Sequence, residues 1–534
     1  MPRAPRPPRK KPLELRAPRA PPAPRYTLAT HPLADSLTAE QRGAVEAVLA
    51  GRSIFLSGTA GTGKSRTVTV IRDVTRAATS ATTAAAAALI GGQTLHSLLS
   101  YAVGMHFNVW RGKPAAAATA RLRGRSVIII DESSMLDADT VDLAEAMLRV
   151  IGKRLRNIDT PWGGFVMVFV GDLFQLPPVN ATSGMMVDAA SFRSAHCDPI
   201  FLTRIFRQDD PLFIHLLECV RYAYITPLAA LCAFVLEALY ADAPPNVHAL
   251  HIFTRRRACD AINVEFMSHF DDAVRFPVQW SLNIQALGRQ TIHGRDVRLT
   301  SKLKEGTHEP LSEAVVALGS TVRVVKNIDQ RRGLVNGALG VIVAVHPEKE
   351  MVRVRLDNGR IEEIGMMDVY TRAYRAQGEA APVVDVGRCI PVVPAYGMTV
   401  FTAQGTTASG FVVADLSVGA DVPGLVFTAL SRATAMRFVI PRGLTRALPH
   451  LHLHASARRF ISENNFSIAQ ITDRLRDESA SCLPRAVRML EDELNITIRG
   501  LTSVRRAVMA HEERRFYAPH YAAWVDAGIK ELGE

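Results

Sequence analysis

The 534-residue chain has only six cysteines, at 197, 219, 232, 259, 389 and 482, and no two of them form a C-x-x-C pair. That scatter argues against a zinc ribbon, an iron–sulfur site or a disulfide scaffold, and is the usage expected in a reducing intracellular compartment. No apolar run free of charge reaches the roughly 18 residues of a membrane span, so no membrane partner is expected. Internal repeats are absent, as is a second carboxylate cluster with metal-site spacing. Acidic residues are scarce in one place above all. Residues 1–25 hold eight Arg or Lys and nine Pro against the single Glu14, a net +7 of the whole chain's +12. Such a segment has nothing to bury and too much proline for regular helix, which predicts a disordered tail. It reads as a nucleic-acid-binding arm or a nuclear address, or equally as a solvated leader without a specific role.

What is present is the balance of a folded protein, 48% hydrophobic and 21% charged, long enough for two or more domains. The segment "SIFLSGTAGTGKSRTVTVIRDVTRAA" sets a short apolar run before G-x-x-x-x-G-K-S and a stretch of helical length after it. Strand, glycine-rich loop and helix form the context that confirms a P-loop. Gly58, Thr59, Ala60, Gly61, Thr62, Gly63 and Lys64 would wrap the phosphates of ATP with main-chain N–H groups. Lys64 would neutralise the β and γ oxygens, and Ser65 would ligate Mg²⁺. A second apolar run, "SVIIIDESSML", ends in Asp131, a further Mg²⁺ ligand, and Glu132, which would orient or deprotonate the attacking water. A third, "GFVMVFVGDLFQLPPV", would bring the Gln175 amide near the γ-phosphate, where it could distinguish ATP from ADP.

In this order the motifs resemble superfamily 1 DNA helicases of the RecD and PIF type, whose third motif reads GD-x-x-Q-L-P-P-V, complete here from Gly171 to Val179. The likeness covers about residues 37–440. "LTAEQRGAVEAVLAG" resembles the Q-motif, implying that Gln41 meets adenine. "TSATTAAAAALIGGQTLHSLL" resembles motif Ia, implying DNA contacts by Thr94 and His96. "FLTRIFRQDD" resembles motif IV, with Arg207 as an arginine finger. "AYGMTVFTAQGTTASG" and "GLVFTALSRATA" resemble motifs V and VI, contributing Gln404, Gly405 and Arg432. The resemblance implies an ATP-dependent enzyme that moves 5′ to 3′ on single-stranded DNA and opens forked duplexes in replication, repair or recombination. Arg207 and Arg432 would both lie on the second domain and reach phosphates held by the first. An RNA or nucleoprotein translocase, and a replication scaffold without activity, are the alternatives. Seven intact site residue types oppose the scaffold.

Two departures bear on DNA grip. Motif V has Phe401, Thr402 and Ala403 where the family usually has His-Lys-Ser, and motif Ia has Thr83-Ala84-Ala85-Ala86 in place of the usual glycine and lysine. "TRRRACDAIN" could compensate, or form an ordinary solvated face. Herpesvirus-type replicative helicases share the motif series and also lack the motif V histidine, which implies a primase or other replisome protein as partner; the basic tail and a DNA substrate point to a nuclear location.

The expected fold is α/β. It comprises a RecA-like P-loop NTPase domain at 26–208 with a small insertion at 101–124, and a second RecA-like domain at 209–300 and 388–440. An inserted SH3-like β-barrel region occupies 301–387, and a helical C-terminal region runs from 441 to 534 with a break at Pro484. In the first insertion Phe107 and Trp110 could stack on a base, or simply pack. The D-N-G turn within "VRVRLDNGRIEEI" predicts a hairpin. The C-terminal region is either a docking platform or a cap on the second domain.

Overall fold

The computed structural model describes residues 24, 26–101, 112, 114–179, 183–239, 249–282, 313–330, 332–374, 383–406, 408, 410–464 and 467–494. The basic tail apart from Pro24, the aromatic pair Phe107 and Trp110, and the chain after 494 lie outside the described residues.

Three apolar runs form the centre of a six-stranded parallel sheet. Its strands are β1 (Ile54–Gly58), β2 (Ala78–Ala81), β3 (Gln93–Thr94), β4 (Val127–Asp131), β5 (Val166–Gly171) and β6 (Asp198–Leu202), in the order β3-β2-β4-β5-β1-β6. A parallel sheet is covered by helices on both faces, so its central strands must be apolar throughout rather than alternating. Accordingly β1 and β4 are buried at every residue. Each fully buried Ile, Leu or Phe there contributes about 1.5–3 kcal/mol. Helix starts follow local side chains. Thr38 and Gln41 form a reciprocal capping box ahead of Ala39–Leu49, and Asp137 accepts from Thr140 N to open Ala138–Arg156. That second helix ends with Lys153, Arg154 and Arg156 in its last turn, against the negative end of the helix dipole.

A second parallel sheet takes the order Gly397–Thr399, Leu250–Phe253, Val412–Asp415, Val439–Arg442. Helices Pro211–Arg221 and Pro227–Leu239 share one hydrophobic core with it, built around Phe213, Leu216, Ile252, Val412 and Phe427.

Between the strands of this second sheet lies an all-β insert. Ile361–Gly365, Met351–Leu356, Leu339–His346, Thr321–Val324 and Val392–Pro394 form an antiparallel meander. The expected hairpin is there, turning at Asp357-Asn358-Gly359, where Leu356 N donates to Arg360 O and Gly359 adopts φ +82°. The pairings among the described residues leave the sheet open in order, not closed into the expected ring. The boundaries also differ from 301 and 387. Val274–Pro277 already pairs with Glu313–Val316, Gln279–Leu282 with Val383–Cys389, and Val392–Pro394 with Thr321–Val324. These strands are only three or four residues long where they enter and leave, too short for their alternation to stand out in sequence.

Among the described residues, the C-terminal region packs on both domains rather than capping the second alone. Helix Ala455–Glu463 lies against the first sheet, with Phe460 edge-on to Phe55 at 5.4 Å and Ser456 bonded to Asp188 at 2.6 Å. Arg459 pairs with the same carboxylate. Helix Ile468–Leu494 instead packs on the second domain, where Arg474 meets Glu218 at 3.0 Å and Ser479 caps Leu228 N at 3.2 Å. It continues through Pro484 without the expected break.

Candidate nucleotide site between the two sheets

In parallel α/β sheets ligands bind beyond the carboxyl ends of the strands, and there the sequence motifs converge. The loop after β1 delivers Lys64 as the first residue of helix Lys64–Thr75, with Gly63 in the left-handed region before it. Gly61, at φ +86°, has no room for a side chain, because a Cβ would stand 2.5 Å from Cβ of Arg207. The Lys64 ammonium donates to Gly58 O at 2.7 Å and Thr59 O at 3.0 Å. Burial lowers its pKa, opposed by the charges of Asp172, Glu132 and Asp131. Ser65 is exposed beside it.

At the end of β4, Asp131 is buried and accepts from Glu132 N at 2.9 Å. Burial first, and the neighbouring Glu132 charge second, push its carboxyl up to about 7. Glu132 sits at φ +51°, a conformation that costs a non-glycine residue about 1–3 kcal/mol. That backbone aims its carboxylate at the second domain, where Gln404 Nε2 donates to Glu132 Oε2 at 3.1 Å. Gly405 leaves a Cβ-sized gap 3.7 Å from Glu132 Oε1.

Arg432 is 2% exposed and held by Thr428 O at 2.8 Å, Thr406 O at 3.0 Å and Ser431 Oγ at 2.7 Å. Burial and then the charge of Arg207 bring it down to about 10, while Glu132 pulls the other way. Burial likewise lowers Arg207. The location expected for Arg207 needs correction. It follows β6 of the first sheet, its neighbour Phe206 N bonds to Gly61 O at 2.8 Å, and only its guanidinium reaches across, to Ser431 O at 3.2 Å. Gln208 crosses beside it to Ala433 O at 3.1 Å. Main-chain anchoring to the P-loop thus places this arginine on the first domain.

Gln41 is also used differently from the reading as an adenine contact. Its amide is 1% exposed, accepting from Thr38 N at 3.0 Å and donating to Thr62 O at 3.1 Å, so it braces the P-loop. Thr94 caps helix Leu95–Leu99 through Ser97 N, and His96 stacks on Tyr101 at 4.5 Å. Both belong to the β3 edge, away from the Lys64–Glu132 cluster. Burial lowers the His96 pKa from its ordinary value, against the opposing charge of Asp137. The three arginines 255–257 are exposed at the end of strand Leu250–Phe253.

Two features were missed by sequence reasoning. Asp172, at the end of β5, is fully buried against Arg221, the last residue of a helix of the second domain, through bonds of 2.8 and 3.1 Å. Gly424, at φ +72°, lies so close to the first domain that a Cβ would meet Gln175 O at 2.3 Å. Gln175 itself is buried, its Nε2 directed to Asp172 at 3.5 Å. Its Oε1, like Oε1 of Gln404, is buried with no partner.

These features fit a magnesium nucleotide. The loop conformation leaves a cradle, the amide oxygens of Gln175 and Gln404 are buried without a partner, and the Glu132 charge acts on both Arg207 and Arg432. No group of three His, Cys, Asp or Glu side chains that could hold a metal occurs among the described residues. A divalent cation held by Ser65 and Asp131 would therefore draw its remaining oxygens from phosphate and water.

A family model described as "PIF1-like helicase" matches residues 36–213, which contain the P-loop, both strand-end acids and Arg207. Over these residues the chain is similar to PIF1-like helicases. It is 30% identical over 424 residues to the human ATP-dependent DNA helicase PIF1, covering 75% of this chain and 60% of that one. To the Pif1 of Bdellovibrio bacteriovorus it is 27% identical over 410 residues, covering 74% and 85%. The chain thus spans less than two thirds of the human relative. The crystal structure of Bacteroides Pif1 bound to single-stranded DNA superposes with a TM-score of 0.66 at 23% identity, over 80% of this chain and 96% of that one. The PIF1-like fold accordingly includes both parallel sheets.

Proposed function

We propose that the protein is an ATP-dependent DNA helicase that translocates 5′ to 3′ on single-stranded DNA and opens forked duplexes. The observation that carries this reading is the hydrogen bond from Gln404 to Glu132, because it ties the group that would activate water to a residue of the opposite domain. ATP supplies a phosphoryl group whose transfer to water releases free energy. Lys64 and the loop amides would neutralise and orient its phosphates, and Ser65 with Asp131 would hold Mg²⁺, which would supply further positive charge there. Glu132 orients water, while Arg207 and Arg432 stabilise charge spread in the transition state. Gln175 and Gln404 exchange their unpartnered oxygens for bonds that depend on what fills the cleft, so the domains close and open with the cycle. Gln41 acts by bracing the loop.

DNA would cross the same strand ends, with Thr94 and the helix it caps on one domain and arginines 255–257 on the other. Those arginines supply the cationic contact that Phe401, Thr402 and Ala403 do not. The human and Bdellovibrio relatives are named ATP-dependent DNA helicases, which supports the substrate class. Unwinding of duplexes carrying a single 5′ or 3′ tail, of DNA or RNA, tests it. Opening of 5′-tailed DNA alone is expected. Preference for 3′ tails would refute the polarity, and preference for RNA the substrate.

A further inference from the structure

The buried carboxylate of Asp172 accepts from Phe174 N at 3.1 Å, from Arg221 at 2.8 and 3.1 Å, and from Gln175 Nε2 at 3.5 Å. The last of these is the longest, and the Gln175 amide that makes it has its Oε1 buried without a partner. Burial lowers the Lys64 pKa, while the charges of Asp172 and Arg221 act on it with opposite signs, so the pair lies within electrostatic reach of the P-loop. The Arg221 guanidinium also stands over rings, with Phe174 and Tyr222 at 4.6 and 4.8 Å and Phe427 at 5.9 Å. Phe427 belongs to helix Leu425–Leu430, where Thr428 O accepts from Arg432 Nε at 2.8 Å. Gln175, Asp172, Arg221, Phe427 and Arg432 are each 5% exposed or less. A sealed chain of contacts thus runs from the Gln175 amide to the guanidinium of Arg432, and close-packed interiors transmit displacement rather than absorb it.

We propose that Arg221 is a positioning residue for ATP hydrolysis, linking the state of the Gln175 amide to the placement of Arg432. The inference rests on the reading of the cleft as an ATP site in which Gln175 meets the terminal phosphate. With that phosphate present, Gln175 Nε2 donates to it and gives up the long bond to Asp172. Asp172 Oδ2 then answers to Arg221 alone. A guanidinium is a planar fork that moves as one body, so a shift of its bidentate bond to the carboxylate also shifts the face it turns to Phe427. The helix that carries Phe427 holds Arg432 through Thr428, and moves it relative to Glu132. Once the phosphate has left, the Gln175 bond to Asp172 re-forms and the helix returns. Arg221 touches no nucleotide in this scheme and acts through Arg432. An ion pair that merely joined the domains would need neither the Gln175 contact nor the ring of Phe427.

The test uses Arg221→Lys in the full chain, which keeps a charge against Asp172 but removes the fork, and Phe427→Leu, which leaves the ion pair and removes the ring. Hydrogen–deuterium exchange of residues 425–432 is compared at saturation with a non-hydrolysable ATP analogue and with ADP. In the wild type the two nucleotides should protect this segment differently, by at least about fivefold in exchange rate. Each variant should bind both nucleotides and lose the difference. Without DNA, kcat for ATP should fall about tenfold in both variants at unchanged KM, since the P-loop still holds the phosphates. Adding Gln175→Ala to Arg221→Lys should lower kcat little further than Gln175→Ala alone, because the two residues act in one line. An equal nucleotide response in wild type and variants, or none in the wild type, would overturn the proposal, as would additive effects of Gln175 and Arg221. Should Arg221→Lys not fold, Phe427→Leu carries the same comparison. Wild-type hydrolysis that DNA does not stimulate would count against the helicase reading and leave the exchange result, taken without DNA, as it stands. A wild type that binds neither nucleotide would refute the ATP site and the link to Arg432 together.

Discussion

Arg221 closes on Asp172 through two hydrogen bonds, with both side chains sealed from solvent, and in doing so joins a helix of the second domain to the end of β5 in the first. Burial acts to lower the Arg221 pKa, but Asp172, Tyr222 and Glu218 together raise it, so the arginine stays charged. Its guanidinium also lies over the Phe174 ring at 4.6 Å. Removing one partner of such a pair leaves a buried charge uncompensated, which costs about 3–5 kcal/mol. Arg221→Ala should therefore lower stability to urea by that order, and Arg221→Met/Asp172→Asn should recover a large part. A loss below about 1 kcal/mol in the single variant would show that the pair does not hold the domains.

Gly424 gives a steric test of the same contact. A valine there would collide with the main-chain carbonyls of Gln175 and Phe174. The variant should fold with unchanged circular dichroism, since the clash lies between domains. Its ATP turnover should fall by at least about tenfold, because Arg432 and Gln404 could no longer approach Glu132 as closely. Unchanged turnover would mean that catalysis does not need this approach.

Across the cleft, Glu132 and Gln404 separate chemistry from coupling. Glu132→Gln should keep nucleotide affinity while slowing hydrolysis by about 10²–10⁴-fold, the usual contribution of a positioned base. Gln404→Ala leaves Glu132 in place, so basal hydrolysis should persist while stimulation by DNA is lost. Fluorescent nucleotide binding and steady-state rates together check both.

His215 predicts a pH effect on stability. Its ring bonds Thr226 at 2.8 Å and, on the C-terminal helix, Glu478 at 3.3 Å. Burial lowers its pKa below the ordinary 6.5, only partly offset by Glu478. The folded state therefore binds fewer protons than the unfolded one below that value. The contribution is present above pH 6.5 and is lost as pH falls below it towards the depressed value. Melting temperatures of wild type should thus drop more steeply between pH 7.5 and 5.5 than those of His215→Gln; parallel curves would contradict the assignment.

The P-loop, the Asp131-Glu132 pair and the Gly171–Gln175 motif were legible because each is a local pattern at the end of an apolar strand, where sequence spacing and spatial placement coincide. Arg221 and Gly424 were not, since each matters only for what lies across the cleft. Gln41 was recognised by pattern, yet nothing local shows that its amide is taken up by Thr38 and Thr62. Arg207 was found but put on the wrong domain, because its side chain and its backbone belong to opposite walls. The helix Ala455–Glu463 shows an amphipathic face in sequence without saying that Phe460 finds Phe55, about four hundred residues away.

The central claim, that this cleft turns ATP hydrolysis into movement on DNA, is tested most directly by hydrolysis rates of the purified protein with and without single-stranded DNA, using Lys64→Ala as the blank. The account predicts strong stimulation by DNA that disappears in the variant. Hydrolysis by the wild type at the same rate with and without DNA would contradict it, and would mean that Phe401, Thr402 and Ala403 mark a grip on DNA that arginines 255–257 do not replace.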